Sequence, residues 1–157
     1  MAVYDYYDRG FPGMKADSGD DRVESFPVKA PGLAFGVMCG TDATGALVAG
    51  PGTKLRGGVV HSHAVRGQYN ATTGEREHAA TECASVMTRG LLWMRVTASG
   101  AVTNDGPVSY AADGTVADAG ANVAPNCVFR SGIETTAEGV QIALVEFHNP
   151  FSELAAA

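Results

Sequence analysis

The stretch Arg89–Gly120, RGLLWMRVTASGAVTNDGPVSYAADGTVADAG, constrains the fold more than any other part of this chain. Three short apolar runs alternate with Gly-rich turns, which is the pattern of brief strands and not of a helix. The stretch carries the only tryptophan, Trp93, and holds no nucleophile–base pair, phosphate loop or metal-ligand spacing. Its information is architectural, which points to a protein that works by binding.

The same alternation continues on both sides. The segments 22–28, 33–39, 47–48, 58–65, 80–87, 91–98, 107–110, 114–118, 126–133 and 139–149 read as strands, with Thr88-Arg89-Gly90 as a turn between two of them. Polar or Gly-rich loops fall at 40–45, 50–58 and 66–81. Pro27 has no N–H to donate, so the first strand is an edge strand. The last is apolar on both faces, with Val140, Ile142, Leu144, Glu146 and His148 alternating against Gln141, Ala143, Val145 and Phe147, which predicts a central position in the sheet. The 20 glycines among 157 residues disfavour helices and suit many tight turns. The expectation is an all-β chain: one compact β-sandwich or barrel-like domain of tulip or jelly-roll type over 22–157. Trp93, Leu91, Val108, Ile142 and Leu144 are its expected core residues.

Residues 1–21 differ from this pattern. They hold three tyrosines, one phenylalanine and five aspartates around a Pro-Gly turn, with no strand or helical period. Such a segment cannot fold alone. Its aromatic content predicts an extended N-terminal arm that orders on a neighbouring subunit, with Tyr4, Tyr6, Tyr7 and Phe11 as the contact residues.

Charge narrows the partners. Eleven Lys and Arg against 17 Asp and Glu give a net charge of −6, and no two basic residues are adjacent. A nucleic-acid ligand needs clustered cations to release counterions, so none is expected. No run approaches a membrane span, and the N-terminus lacks the apolar core of a secretory signal. Cys39, Cys83 and Cys127 form no CxxC and read as reduced, buried thiols.

The strongest enzymatic candidate is His61-Ser62-His63. On a strand, that spacing puts both imidazoles on one face, as a metal site requires. His78, Cys83, Glu75 and Glu77 follow downstream. A cupin-like barrel would place a glutamate three or four residues beyond the second histidine, where this chain has Arg66 and Gly67. The loop 51–58 lacks phosphate-loop spacing, and Asn70-Ala71-Thr72 has the glycosylation spacing without a signal to make it meaningful. No catalytic residue, cofactor or metal is therefore expected.

The order of these pieces resembles a known family. Arg89-Gly90-Leu91-Leu92-Trp93-Met94, then Val102–Tyr110, Gly114-Thr115 and Val140–Glu146, preceded by 33–41 and Gly57–Val60, is similar to the head decoration, or structural cement, proteins of tailed bacteriophages. The resemblance covers most of residues 20–147 and lies in strands and turns, not in reactive groups. It implies a non-enzymatic virion protein, made in the host cytoplasm and carried on the outer capsid surface. Such a protein would be a homotrimer that bridges neighbouring major capsid protein subunits after shell expansion. Cys39 and Cys127 within strands, and the long loop at 66–81, depart from the family pattern. Two rival readings stand beside it: a small metal-dependent barrel using His61 and His63, and a glycan-binding virion surface module using Tyr69 and loop 66–81.

Overall fold

The computed structural model describes residues 9–17, 19–72 and 74–150. Among them there is no α-helix. The strands are β1 (Arg22–Pro27), β2 (Met38–Thr41), β3 (Leu47–Ala49), β4 (Lys54–Val59), β5 (Tyr69–Asn70), β6 (Glu75–Arg76), β7 (Cys83–Arg95), β8 (Pro107–Tyr110), β9 (Val116–Ala117), β10 (Asn122–Phe129), β11 (Glu134–Thr135) and β12 (Gln141–His148). The all-β expectation holds.

β7 organises the molecule. Its 13 residues span roughly 40 Å at about 3.3 Å each. The main sheet runs β3-β2-β4-β7-β12-β10-β8-β9, with β1 added on β7 and β11 on β12. Single bridges link the ends back: Val28 to Leu47 of β3, and Val96 to Val116 of β9. The sheet thus curls into two loops of strands that share β7. One contains β1, β7, β4, β2 and β3; the other contains β7, β12, β10, β8 and β9.

Each loop closes on its own core, because alternate side chains of its strands point inward. Leu92, Met94, Val108, Tyr110, Val116, Ala124, Phe129, Ala143, Val145 and Phe147 fill the second loop. Val28, Leu33, Phe35, Val37, Cys39, Leu47, Val59, Ala84 and Val86 fill the first.

Three expected elements differ. The run 33–39 enters β2 only at Met38; before it the backbone turns at Phe35-Gly36. There the Gly36 amide bonds to the Val59 carbonyl, and the Gly36 carbonyl accepts from Arg95. The run is apolar because it fills the first core, and apolar content alone does not distinguish strand from buried turn. The expected strand 58–65 is shifted to Lys54–Val59, which frees both histidines from it. Thr88-Arg89-Gly90 is no turn: Arg89 pairs with Arg22 on one side and His148 on the other, so β7 runs straight through. Within that stretch Gly90 adopts φ 124°, a value that side-chain-bearing residues rarely adopt.

β1 pairs with β7 alone along its length, as an edge strand with a terminal proline should. β12 sits between β7 and β10, in the interior of the sheet. One face of β12 is buried along Ala143, Val145 and Phe147. Its other face shares the outer surface of the sheet with β7, in the register Ile142–Arg95, Leu144–Trp93, Glu146–Leu91 and His148–Arg89. That outer row grades from buried Ile142, Arg95 and Trp93 through half-buried Leu144 and Leu91 to exposed Arg89 and His148. Of the five expected core residues, Val108 lies inside a strand loop. Trp93 and Ile142 are buried on the outer face instead, and Leu91 and Leu144 are only half-buried there. Parity explains this: along the stretch of β7 paired with β12, odd positions from Leu91 to Arg95, and even positions of β12, face away from the second core.

Candidate functional site

What buries Trp93 on the outer face is the chain's own N-terminal segment. Residues 9–16 lie antiparallel to β7 with Lys15 opposite Leu92. The Gly13 amide donates to the Trp93 carbonyl at 2.8 Å, the Trp93 amide to Met14 at 3.0 Å, and the Ala16 amide to Leu91 at 3.1 Å. Gly10 rests directly on the indole, where an added Cβ would come within 2.5 Å of ring atoms. The Arg9 guanidinium stands 5.9 Å over the same ring. Arg9 also pairs with Glu134 of β11. Together these contacts leave Trp93 only 3% exposed.

Phe11 projects from this strap and is 42% exposed. Its ring meets His61 edge-on at 5.0 Å, and the His61 amide donates to the Gly13 carbonyl at 2.9 Å. Tyr4, Tyr6 and Tyr7 lie outside the described residues. Arg9, Gly10 and His61, which fasten the strap, were not singled out for this role by sequence reasoning. The Gly-Phe-Pro-Gly run at 10–13 was the available signal, since it marks a tight turn beside an aromatic.

The two histidines of the His-x-His motif sit beyond the end of β4, so strand geometry does not align them. Their rings still meet at 4.7 Å, and Phe35 packs on His61 at 4.6 Å. Burial lowers the affinity of His61 for a proton, and His63 lowers it further. His78, the third histidine of this half, is 1% exposed. Its Nε2 finds no hydrogen-bond partner, and its Nδ1 lies 3.5 Å from Glu82, too far for a well-formed bond. Burial dominates and lowers its pKa, while Glu82 pulls the other way. Glu82 itself accepts from the Ala79 and Arg66 amides. Among the described residues, no group of three or more His, Cys, Asp or Glu is arranged to hold a metal ion.

The polar loop at 66–81 contains a small hairpin, in which Tyr69 pairs with Arg76 and Asn70 with Glu75. Glu75 holds it to the body through buried Arg95 at 3.3 Å. Burial raises the Glu75 carboxyl, and Arg95 counters this. Tyr69 is 64% exposed at the hairpin. The Gly-rich loop 50–58 forms most of β4; its Arg56 covers the Phe26 ring and bonds Thr41 Oγ1 at 3.1 Å. The three cysteines are free thiols. Cys39 and Cys127 are buried, and burial pushes both thiols well up. Cys83, expected to be buried, is exposed at the start of β7, because the strand's first residue faces outward. Among the described residues no helix is long and apolar enough to cross a membrane.

The strap thus carries an exposed aromatic, Phe11, and is fastened over a buried tryptophan. Residues 2–148 match the family model for the phage structural cement protein, described as structural cement protein (E217 gp24/Pam3 gp6). The chain belongs to the phage structural cement protein family. The match includes the strap and all of the described strands. A chain in the solved structure "The capsid of Myoviridae Phage XM1" is 21% identical to this cement protein, over 96% of each chain, with a TM-score of 0.68. At that identity the likeness speaks for the fold. No match was found among curated proteins. The protein is therefore a structural component of the phage virion that associates with the capsid, as the sequence resemblance implied.

Proposed function

We propose that this cement protein binds the outer face of the expanded major capsid protein lattice as a homotrimer and bridges neighbouring subunits through its N-terminal arm. The observation that carries this reading is the span of the family match, which starts at residue 2 and so includes Tyr4, Tyr6, Tyr7 and Phe11. Supporting it, the strap fastens Arg9 against Trp93 of β7 and Glu134 of β11 and leaves Phe11 exposed beside His61.

The mechanism is linkage. A ligand that binds only the assembled lattice stabilises that lattice against dissociation. A trimer presents three arms, so weak contacts reinforce one another through effective concentration. Each aromatic anchor buries about 150–250 Å² when it docks. Asp5 and Asp8 in the arm favour a basic partner surface. Most of the binding then rests on a few aromatic groups and the rest on shape.

Co-sedimentation with expanded and unexpanded shells tests this. Wild-type protein is expected to pellet with expanded shells alone. Replacing Tyr4, Tyr6 and Tyr7 with Ala is expected to weaken binding by at least about a hundredfold, the loss of two or more anchors at about 1.4 kcal/mol each. Unchanged affinity in that variant removes the arm from the mechanism, and equal binding to both shell states removes the lattice-specific clamp.

A further inference from the structure

We propose that residues 9–16 form an exchangeable strap, and that at the local concentration of a capsid array the strap of one copy lies on β7 of a neighbouring copy. This rests on the reading that the protein decorates a shell, which brings copies side by side. The interaction surface is the outer edge of β7 at Leu91–Trp93 together with the Trp93 indole, and its occupant is a second copy of this chain.

Four features of the structure support it. First, the strap supplies no residue to either core, so both cores are complete without it in cis. Second, apart from the Met14–Phe11 bond within the strap and the Lys15–Asp21 bond to the linker, its hydrogen bonds run to groups of the body: Leu91, Trp93 and His61 through the backbone, and Glu134 through Arg9. A neighbouring body offers the identical groups, so an exchanged strap recovers the same contacts. Third, the site cannot stand empty without loss, because departure of the strap uncovers the indole and leaves β-edge amides and carbonyls unpaired. Fourth, the connection has slack. Ala16 bonds to Leu91 and Arg22 pairs with Arg89, a separation of two β7 residues, or about 7 Å. The linker 17–21 joining them can extend to roughly 17 Å. Its ties are the exposed pairs Asp20–Arg89 at 2.6 Å and Lys15–Asp21 at 2.8 Å. Pairs of that kind are weak.

The test uses free full-length protein and no shells, so it is independent of capsid binding. Ala16→Cys and Leu91→Cys are introduced in separate copies of the chain, each with Cys83→Ser, and the two are co-expressed and oxidised. The remaining thiols, Cys39 and Cys127, are buried. A disulfide between positions 16 and 91 of different chains, identified by peptide mass, is the expected product. Its yield should rise about tenfold for a tenfold rise in concentration while single copies predominate. The double variant, which closes the same disulfide within one chain, shows that the pair is competent. If it closes and no inter-chain product forms at any concentration, exchange is wrong. Wild-type protein gives a second measurement: in a mixture of differently isotope-labelled chains at high concentration, nuclear Overhauser contacts between Gly10 and Trp93 should connect different chains. Contacts confined to single chains overturn the proposal. Failure of shell binding would instead overturn the docking reading and leave these two outcomes standing on their own.

Discussion

The two loops of strands that share β7 differ in regularity. Around β12, β10, β8 and β9, the core comes almost wholly from strand positions that alternate with outward residues. Around β1, β2, β3 and β4, much of the core comes from Val28, Leu33, Phe35 and Val37, which lie off the strands. This irregular half also holds the buried, poorly partnered His78 and the His61–His63 pair, with His61 against the strap. Regular pairing satisfies the backbone of the loop around β12, β10, β8 and β9. The irregular backbone of the other half places His61 where the strap attaches.

The largest expected effect sharpens that contrast in the cores. Phe147→Ala should cost about 3–5 kcal/mol in urea unfolding, since the strands around it cannot collapse into the cavity. Phe35→Ala removes a ring of the same size from a turn that can relax, and its loss should fall below that of Phe147→Ala. Equal losses would break the distinction between the halves.

The strap is the next level. Gly10→Val drives a side chain into the Trp93 ring and should destabilise by about 1–3 kcal/mol, with red-shifted and more quenchable tryptophan emission. Because the chain has one tryptophan, the emission reports this site alone. An unshifted spectrum would mean that the strap does not cover Trp93 in solution.

Acidification should weaken the irregular half selectively. The folded-state pKa values of His61 and His78 are lowered, so below the free imidazole value the unfolded chain binds more protons. Stability that is full near neutrality is then lost as pH falls through about 6.5 and below. Glu82, whose folded pKa is also lowered, adds to the loss further into acid. Amide hydrogen exchange at about pH 5.5 should rise first around residues 60–82, before β10 and β12. Uniform acceleration would show that the two halves respond as one.

The smallest effect is on the surface. Arg22→Ala breaks an exposed pair with Glu24 at 2.9 Å and should change stability by less than about 0.5 kcal/mol in either direction. A larger loss would mean that β1 depends on this pair more than on its pairing with β7.

Much of the fold was legible because local pattern and burial agree in the regular half. The alternation of 139–149 placed β12 inside the sheet, and Pro27 placed β1 at an edge. Legibility failed where one composition serves two conformations. Leu33–Val37 is apolar because it fills a core, and its backbone turns because its hydrogen-bonding groups find partners on several elements. Thr88-Arg89-Gly90 has turn composition, yet it is held extended by strands on both sides. The His-x-His spacing carries meaning only on a strand, and the strand ends two residues early.

By itself, the sequence determined the class of the molecule: short strands, tight turns, no clustered cations, and the resemblance of its strand order to phage cement proteins. These follow from local periodicity and side-chain chemistry. Only the tertiary structure decided that Trp93 lies on the outer face of β7, under Gly10 and Arg9, and not inside a strand loop. That choice depends on which of two sheet faces receives the N-terminal strap, and the pairing of residues some 80 positions apart in sequence is set by the whole sheet.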